Sequence, residues 1–325
     1  MTENAAPPRR RDVYRRHPFG TQLWVGIGLL AFYVAVALSA LVVFRGSLGA
    51  LSENFAWQTP LPPIGPSWTY PFGILPGFGV NLLDAIWQAT PWDLAIVFGI
   101  LAIDGALGAL IGAIAGLYEG SAIDHAVTFL GDSLGAIPAV ILVAAIFAGV
   151  VLAVPADRSL WLFIVLFGLL LWPPSARTVR ERVRVLAQRP YVEASRANGA
   201  TNRRLLFRHL LPNSLGPVLA QLPVDVAAVF FFLSVYPWFF NCASPYPGPG
   251  VGYHVPGLPP FSPLPTTLFP EWGFQLGFSA CDAFLVPGGP IYWWMFLFPL
   301  LAIVGLGIAI ALACDGLEKW LRFGL

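Results

Sequence analysis

The chain has 325 residues, of which 57% are apolar and only 11% charged, against about 25% charged in an average soluble domain. Its 35 Asp, Glu, Lys and Arg side chains are too few to cover a soluble fold of this length, which argues against a soluble enzyme, a disordered protein or a nucleic-acid-binding domain. The solvent expected for most of this chain is lipid.

The net charge of +1 hides an asymmetry, because 17 of the 18 basic residues are Arg and Lys319 is the only Lys. Three Cys cannot staple a fold of this size. No cleavable signal peptide is expected: the first apolar run is too long and its flank lacks a small-residue cleavage pattern.

An arginine-rich head, residues 1–22, comes first. Leu23 to Phe44 carries no charge and is about 33 Å long as a helix, enough to cross a hydrocarbon core of about 30 Å. Residues 45–90, rich in Pro, Gly and Trp, read as an ordered extracellular loop. Leu94 to Leu117 is a second span, interrupted by Asp104, and Ala122 to Val154 a third, carrying Asp132 and Pro138. A fourth begins at Leu160 and reaches Trp172. The polar stretch Arg177 to Arg208 comes next, then a fifth span, Leu210 to Phe240, with Pro212, Pro217 and Pro223 near its start. Residues 237–290 form a second Pro/Gly-rich extracellular segment, and 291–325 a sixth span with a short amphipathic tail. Residues 91–236 thus hold the core helices two to five.

With the N-terminus inside, 16 of the 18 basic residues fall on the inner side: five in the head, nine between Arg177 and Arg208, and two in the tail. Positive charge marks the cytoplasmic side, so both termini are expected there, in a multi-pass protein of the cell membrane. Several Trp, among them Trp24, Trp92, Trp161, Trp172, Trp293 and Trp294, lie near span ends, where interfacial anchors belong. The expected fold is an all-α membrane protein of six transmembrane helices with large ordered extracellular loops.

The inner stretch holds the informative motif. Pro190 suits a first helical position, Glu193 a first turn, and Asn198-Gly199 a helix stop; Thr201 can cap the next helix. A helix of about two turns at 190–199, with small Ala194, Ser195 and Ala197, is too short to be stable alone. It reads as a knob for a groove on a cytosolic partner. The nine Arg around it are accounted for by topology, with anionic lipid headgroups as a further contact, and nucleic acid is not the expected partner.

The segment YVEASRANGATNRRLLFRHLLPNSLGPVLAQ closely resembles the coupling-helix region, or EAA motif, of ABC importer permeases. Glu193, Ala194, Gly199, Leu211 and Pro212 occupy its places, and Ser195 stands for the second Ala. The FRHLLPNSL continuation, with His209, Pro212 and Asn213, resembles the dipeptide/oligopeptide/nickel group and its C-type permease. The stretch GLYEGSAIDHAVTFLGDSLGAIP, with Asp132 and Pro138, and the later EWGFQLG, WWMFLFPLLAI and CDGL agree in order. The resemblance implies the type I ABC importer (MetI-like) permease fold. It implies that Tyr191, Glu193, Ala194, Ser195, Arg196, Gly199 and Ala200 couple to an ATPase. The implied partners are a second homologous permease, two cytosolic ABC ATPase subunits and an extracellular substrate-binding protein. This chain would be no enzyme and bind no cofactor: ATP and Mg belong to the ATPases, since it has no phosphate-binding GxxxxGK[ST] loop. Peptides are the first expected substrate, then oligosaccharides, then nickel.

Three departures stand out. ILPGFGVN replaces an acidic stretch before the second span, Phe129 replaces an Arg, and an insertion of about 25–30 residues comes after the fifth span. The insertion could cap the pore, touch the binding protein or be a passive ordered loop.

Asp104 and Asp225 lie within spans, where a carboxyl is costly and tends to face a cavity or partner. They are candidate pathway or interface acids; the alternative is a buried acid, hydrogen-bonded to a neighbouring helix or protonated. Asp132 is expected to be structural, near the inner face. The three prolines bend the fifth span as a hinge or a fixed kink. The four His lack metal-ligand spacing. Cys242 and Cys281, both outside, are a candidate disulfide, with two buried thiols as the alternative. A secondary transporter or channel is the competing class, and paired broken helices or inverted repeats would mark it.

Overall fold

The computed structural model describes residues 21–44, 65–74, 81–138, 141–142, 145, 156–242, 271–273, 275–277 and 292–324; for 156–159, 236–242 and 322–324 the description covers the backbone. The described residues are helical almost throughout.

Helix α1, Thr21–Val43, turns a face of small residues, including Gly26, Ala37 and Ala40, inward and points Trp24, Phe32, Leu38 and Val42 outward. Helix α2 is Leu82–Leu117. It begins well before Leu94, so its first turns take up residues 82–90 of the expected loop. The reason is a local cap. Asn81 accepts from the Leu83 N–H at 3.2 Å and donates to Asp84 at 3.1 Å, which satisfies the helix start. Pro91 then sits inside the helix instead of breaking it, as apolar surroundings allow when neighbouring groups take up the freed carbonyls.

After a tight turn, Ser121 caps helix α3, Ala122–Ala136. Most of the remainder of the expected third span lies outside the described residues. Helix α4, Ala156–Ala187, also outruns its expected end. It passes through Pro173 and Pro174 and carries the first arginines of the polar stretch on its last turns. Helix α5, Pro190–Ala197, is the short one. A helical turn (Asn202–Leu205), a wide π-turn (Leu206–Leu210) and a further turn (Leu211–Asn213) lead into helix α6, Leu215–Cys242. Helix α7, Trp293–Gly324, continues through the expected tail without a break.

Five helical segments are long and apolar enough to cross a membrane: Thr21–Val43, Leu82–Leu117, Leu160–Ala187, Leu215–Val235 and Trp293–Leu321. The chain is a multi-pass membrane protein, helical almost throughout its described residues.

Lipid supplies no hydrophobic drive for helices to associate, so close backbone approach and a few hydrogen bonds must hold the bundle. Helices α2 and α4 meet along Gly108, Gly112 and Gly116. A Cβ on Gly112 would collide with the Ala176 carbonyl oxygen, and one on Gly116 would lie 2.6 Å from the Arg180 carbonyl oxygen. Helices α1 and α7 meet in the same way, with Gly26 against the Ala313 backbone and the Tyr33 hydroxyl donating to the Ala302 carbonyl at 2.9 Å.

Trp272, 1% exposed, ties the return of the second long loop into this bundle. Its backbone N–H donates to Asp93 at 3.1 Å and its indole to the Ile86 carbonyl at 3.0 Å. Its ring stacks on Phe230 with centroids 6.0 Å apart. Glu271 to Gly273, in the expected extracellular segment, therefore pack into the helical core. The candidate disulfide partners fall elsewhere: Cys281 and the Cys242 side chain lie outside the described residues.

Candidate functional site

Helix α5 starts with Arg189 in extended geometry (φ −78°, ψ 144°), Pro190 in its first turn and Glu193 on the positive helix end. The Ser195 hydroxyl donates to the Tyr191 carbonyl at 2.8 Å. The helix ends where Gly199 takes φ +79°, in open space. Ala200 then returns the chain with an N–H donated to the Ser195 carbonyl at 3.0 Å. Thr201 caps the next turn, accepting from the Arg204 N–H at 3.3 Å.

One side chain holds this helix down. Val192 is fully buried, among Val179, Val183 and Leu186 of α4 and Leu205, Leu206 and Leu210 of the turns after it. Tyr191, Glu193, Ala194, Arg196 and Gly199 are exposed, and Ser195 and Ala200 half-buried. The Tyr191 and His209 rings lie 6.5 Å apart, and Asn213 donates to the His209 carbonyl at 2.6 Å. Pro212 is half-buried in the turn before α6. The residues singled out between Tyr191 and Asn213 are thus gathered at one end of the bundle.

That end is braced by ion pairs from α4 to the α2–α3 turn and to α3. Arg180 grips Asp124 with two bonds, 2.5 and 3.0 Å long, and the Asp124 carboxyl also accepts from the Gly120 N–H at 2.9 Å. Arg184 pairs with Glu119, and this bond holds the exposed Glu119 carboxyl below the usual carboxylate range. Arg177 pairs with Asp132 at 2.6 Å, with both side chains more than half exposed. Asn202 reaches back to the Tyr118 hydroxyl at 3.4 Å. Pro138 is exposed and lies just beyond α3.

The arrangement can act mechanically. A small-faced, outward-turned helix rests on one apolar anchor, and a force on it passes into α4 beneath and, through the π-turn, into α6. Asp104 of α2 and Asp225 of α6, far from this end, are brought together in the interior, both carboxyls buried.

Val192, Asp124, Arg180 and the Trp272–Asp93 bond were not singled out from sequence. Val192 is the one branched apolar residue in PYVEASRA, which is a usable signal. So is the i, i+4 spacing of Gly108, Gly112 and Gly116 in an apolar run. Nothing local marks Asp93 as the partner of a residue 179 positions away.

The family model described as the binding-protein-dependent transport system inner membrane component matches residues 108–323. The chain is similar to the oligopeptide transport system permease protein OppC of Bacillus subtilis, 30% identical over 268 residues, 81% of this chain and 82% of that protein. It is also similar to the dipeptide transport system permease protein DppC of Alkalihalophilus pseudofirmus, 26% identical over 90% of this chain and 83% of that one. The glutathione transport system permease protein GsiD of Pectobacterium atrosepticum is 29% identical, over 78% of this chain and 72% of its own length. The matched region runs from the last third of α2 through the short helix and on to the last turn of α7, and the chain belongs to the family of binding-protein-dependent transport system inner membrane components, as a permease subunit of an ABC importer.

Proposed function

We propose that this permease carries di- or oligopeptides inward across the cell membrane and that α5 is its coupling helix. The names of the relatives, which are peptide, dipeptide and glutathione permeases, support the substrate class. The observation that carries the coupling role is the presentation of α5: every residue in it but Val192 and Ser195 is exposed. Lone two-turn helices are unstable in water, so one kept folded by a single anchor with its polar face outward suits a partner's groove.

In this reading the chain spans the membrane six times, with residues 122–154 as the third span, and both termini are cytoplasmic. It forms half of a pore with a second homologous permease. Two cytosolic ABC ATPase subunits bind ATP and Mg and do the hydrolysis; this chain binds neither and catalyses nothing. An extracellular binding protein delivers the substrate. Closure of the ATPases pulls on Glu193, Ala194 and their neighbours, and the motion reaches the pore through α4 and α6.

The test is reconstitution with the accompanying subunits. Glu193→Ala is expected to leave membrane insertion intact and to lower peptide uptake per ATP hydrolysed, or to release the ATPases. A chain that transports alone, or a Glu193→Ala variant with unchanged uptake and ATPase retention, defeats the coupling role. Uptake of a sugar or nickel, and not of peptide, defeats the substrate assignment alone.

A further inference from the structure

The interior of the bundle holds two carboxyls side by side. Asp104 is fully buried and Asp225 is 3% exposed, and the two side chains lie within hydrogen-bonding reach of each other. One oxygen of each is already served: Ser175 of α4 donates to Asp104 Oδ2 at 3.2 Å, and Gln221 donates to Asp225 Oδ1 at 3.0 Å. The other oxygens, Asp104 Oδ1 and Asp225 Oδ2, are buried with no donor.

Among the described residues no cation stands nearby to compensate them. Helices α2 and α6 contain no Lys, Arg or His. On α4 the nearest arginines along the helix, Arg177 and Arg180, are engaged by Asp132 and Asp124. On α7, which packs on α6, the charged residues occur only in the last turns, from Asp315 onward. Asp104 is about 20 Å along α2 from its arginine-rich end, and Asp225 about 15 Å along α6 from the same end, so the pair sits well inside the apolar slab.

Two bare carboxylates in contact at that depth repel each other and lose their hydration, whereas a single proton between them replaces repulsion with a charge-assisted hydrogen bond. We propose that Asp104 and Asp225 form a proton-binding site in which one proton is held between Asp104 Oδ1 and Asp225 Oδ2. The bond joins α2 to α6, the helix that continues from the coupling segment, and so acts as a polar latch between the two. It is independent of the substrate and of the coupling role of α5.

Infrared spectroscopy of the full-length chain tests this. The chain is purified with the subunits that accompany it, in lipid bilayers at neutral pH, with aspartate labelled by carbon-13 at its side-chain carboxyl. The expected result is a labelled carboxylic-acid band that shifts in heavy water and disappears in both Asp104→Asn and Asp225→Asn. The amide of either Asn donates to the remaining carboxylate and so removes the need for the proton. Asp93→Asn, at the other buried acid of α2, is expected to leave this band in place. Should the Asn variants fail to insert, Asp104→Glu and Asp225→Glu keep the pair, and the labelled band is expected to change in both. Three results overturn the proposal: no acid band attributable to these residues, a band lost on adding sodium (a metal cation in place of the proton), or a band that survives in either single Asn variant (two independently protonated acids).

Discussion

Val192→Ala isolates the one apolar contact beneath α5, the proposed coupling helix. The substitution removes two buried methyl groups from a fully enclosed site, at about 0.8 kcal/mol each plus a small cavity contribution, or about 2 kcal/mol in all. A docked helix with no second anchor must then detach about 30-fold more often. Hydrogen exchange read by mass spectrometry on the full-length protein in nanodiscs is the direct assay. Amides Glu193 to Asn198 are expected to exchange about 30-fold faster, while those of α2 around Gly108 to Gly116 stay as they were. In the assembled transporter, ATP hydrolysis is expected to persist while uptake per ATP falls. Glu193→Ala provides the contrast, since its exposed side chain supports no packing and loses only a helix-end charge interaction of about 0.5 kcal/mol: uptake per ATP is expected to fall in the proposed coupling role while local exchange rises far less than in Val192→Ala. Unaltered exchange over Glu193 to Asn198 in Val192→Ala would refute the reasoning, because the helix would then be held by something other than this side chain.

The same contacts set further expectations. Gly199→Ala forces an L side chain to φ +79° in open space, costing about 1 kcal/mol; Gly199→Asn, better tolerated there, is expected to restore most of the lost thermal stability. Gly112→Ala pushes a methyl into the Ala176 backbone, which cannot give way. A loss of about 1–3 kcal/mol is expected, read as a lower unfolding temperature in detergent, with Gly28→Ala, where nothing lies near, as the neutral control. Arg180→Ala strands the Asp124 carboxyl, only 4% exposed, at a cost of about 3 kcal/mol. Arg177→Ala breaks a pair more than half exposed on both sides and is expected to cost less than about 1 kcal/mol; equal effects in the two variants would contradict the burial argument. A Cys242–Cys281 disulfide, if formed, shows as linked peptides in a non-reduced digest, and unlinked thiols there dismiss it.

Much of this protein was legible in one dimension. Scarcity of charge and long apolar runs dictate helices, because lipid leaves no other way to satisfy a single apolar segment's backbone. Pro190, Glu193, Asn198 and Gly199 specify α5 through local chemistry alone: a fixed φ, a carboxylate at a positive helix end, and a residue that accepts left-handed geometry. Those signals act within a few residues, which is why they could be read without a fold. Tertiary structure decided the rest. Pro91, Pro173 and Pro174 look like boundaries locally, yet the helices run through them, since apolar surroundings and adjacent helices make an unbroken segment the cheaper outcome. Which residue anchors α5, which aspartate meets Trp272, and whether Asp104 and Asp225 face lipid, pore or one another all depend on the relative rotation of helices. Packing sets that rotation, through glycine contacts such as Gly112 on Ala176, and it brings together residues far apart along the chain, such as Tyr33 and Ala302, which are 269 positions apart.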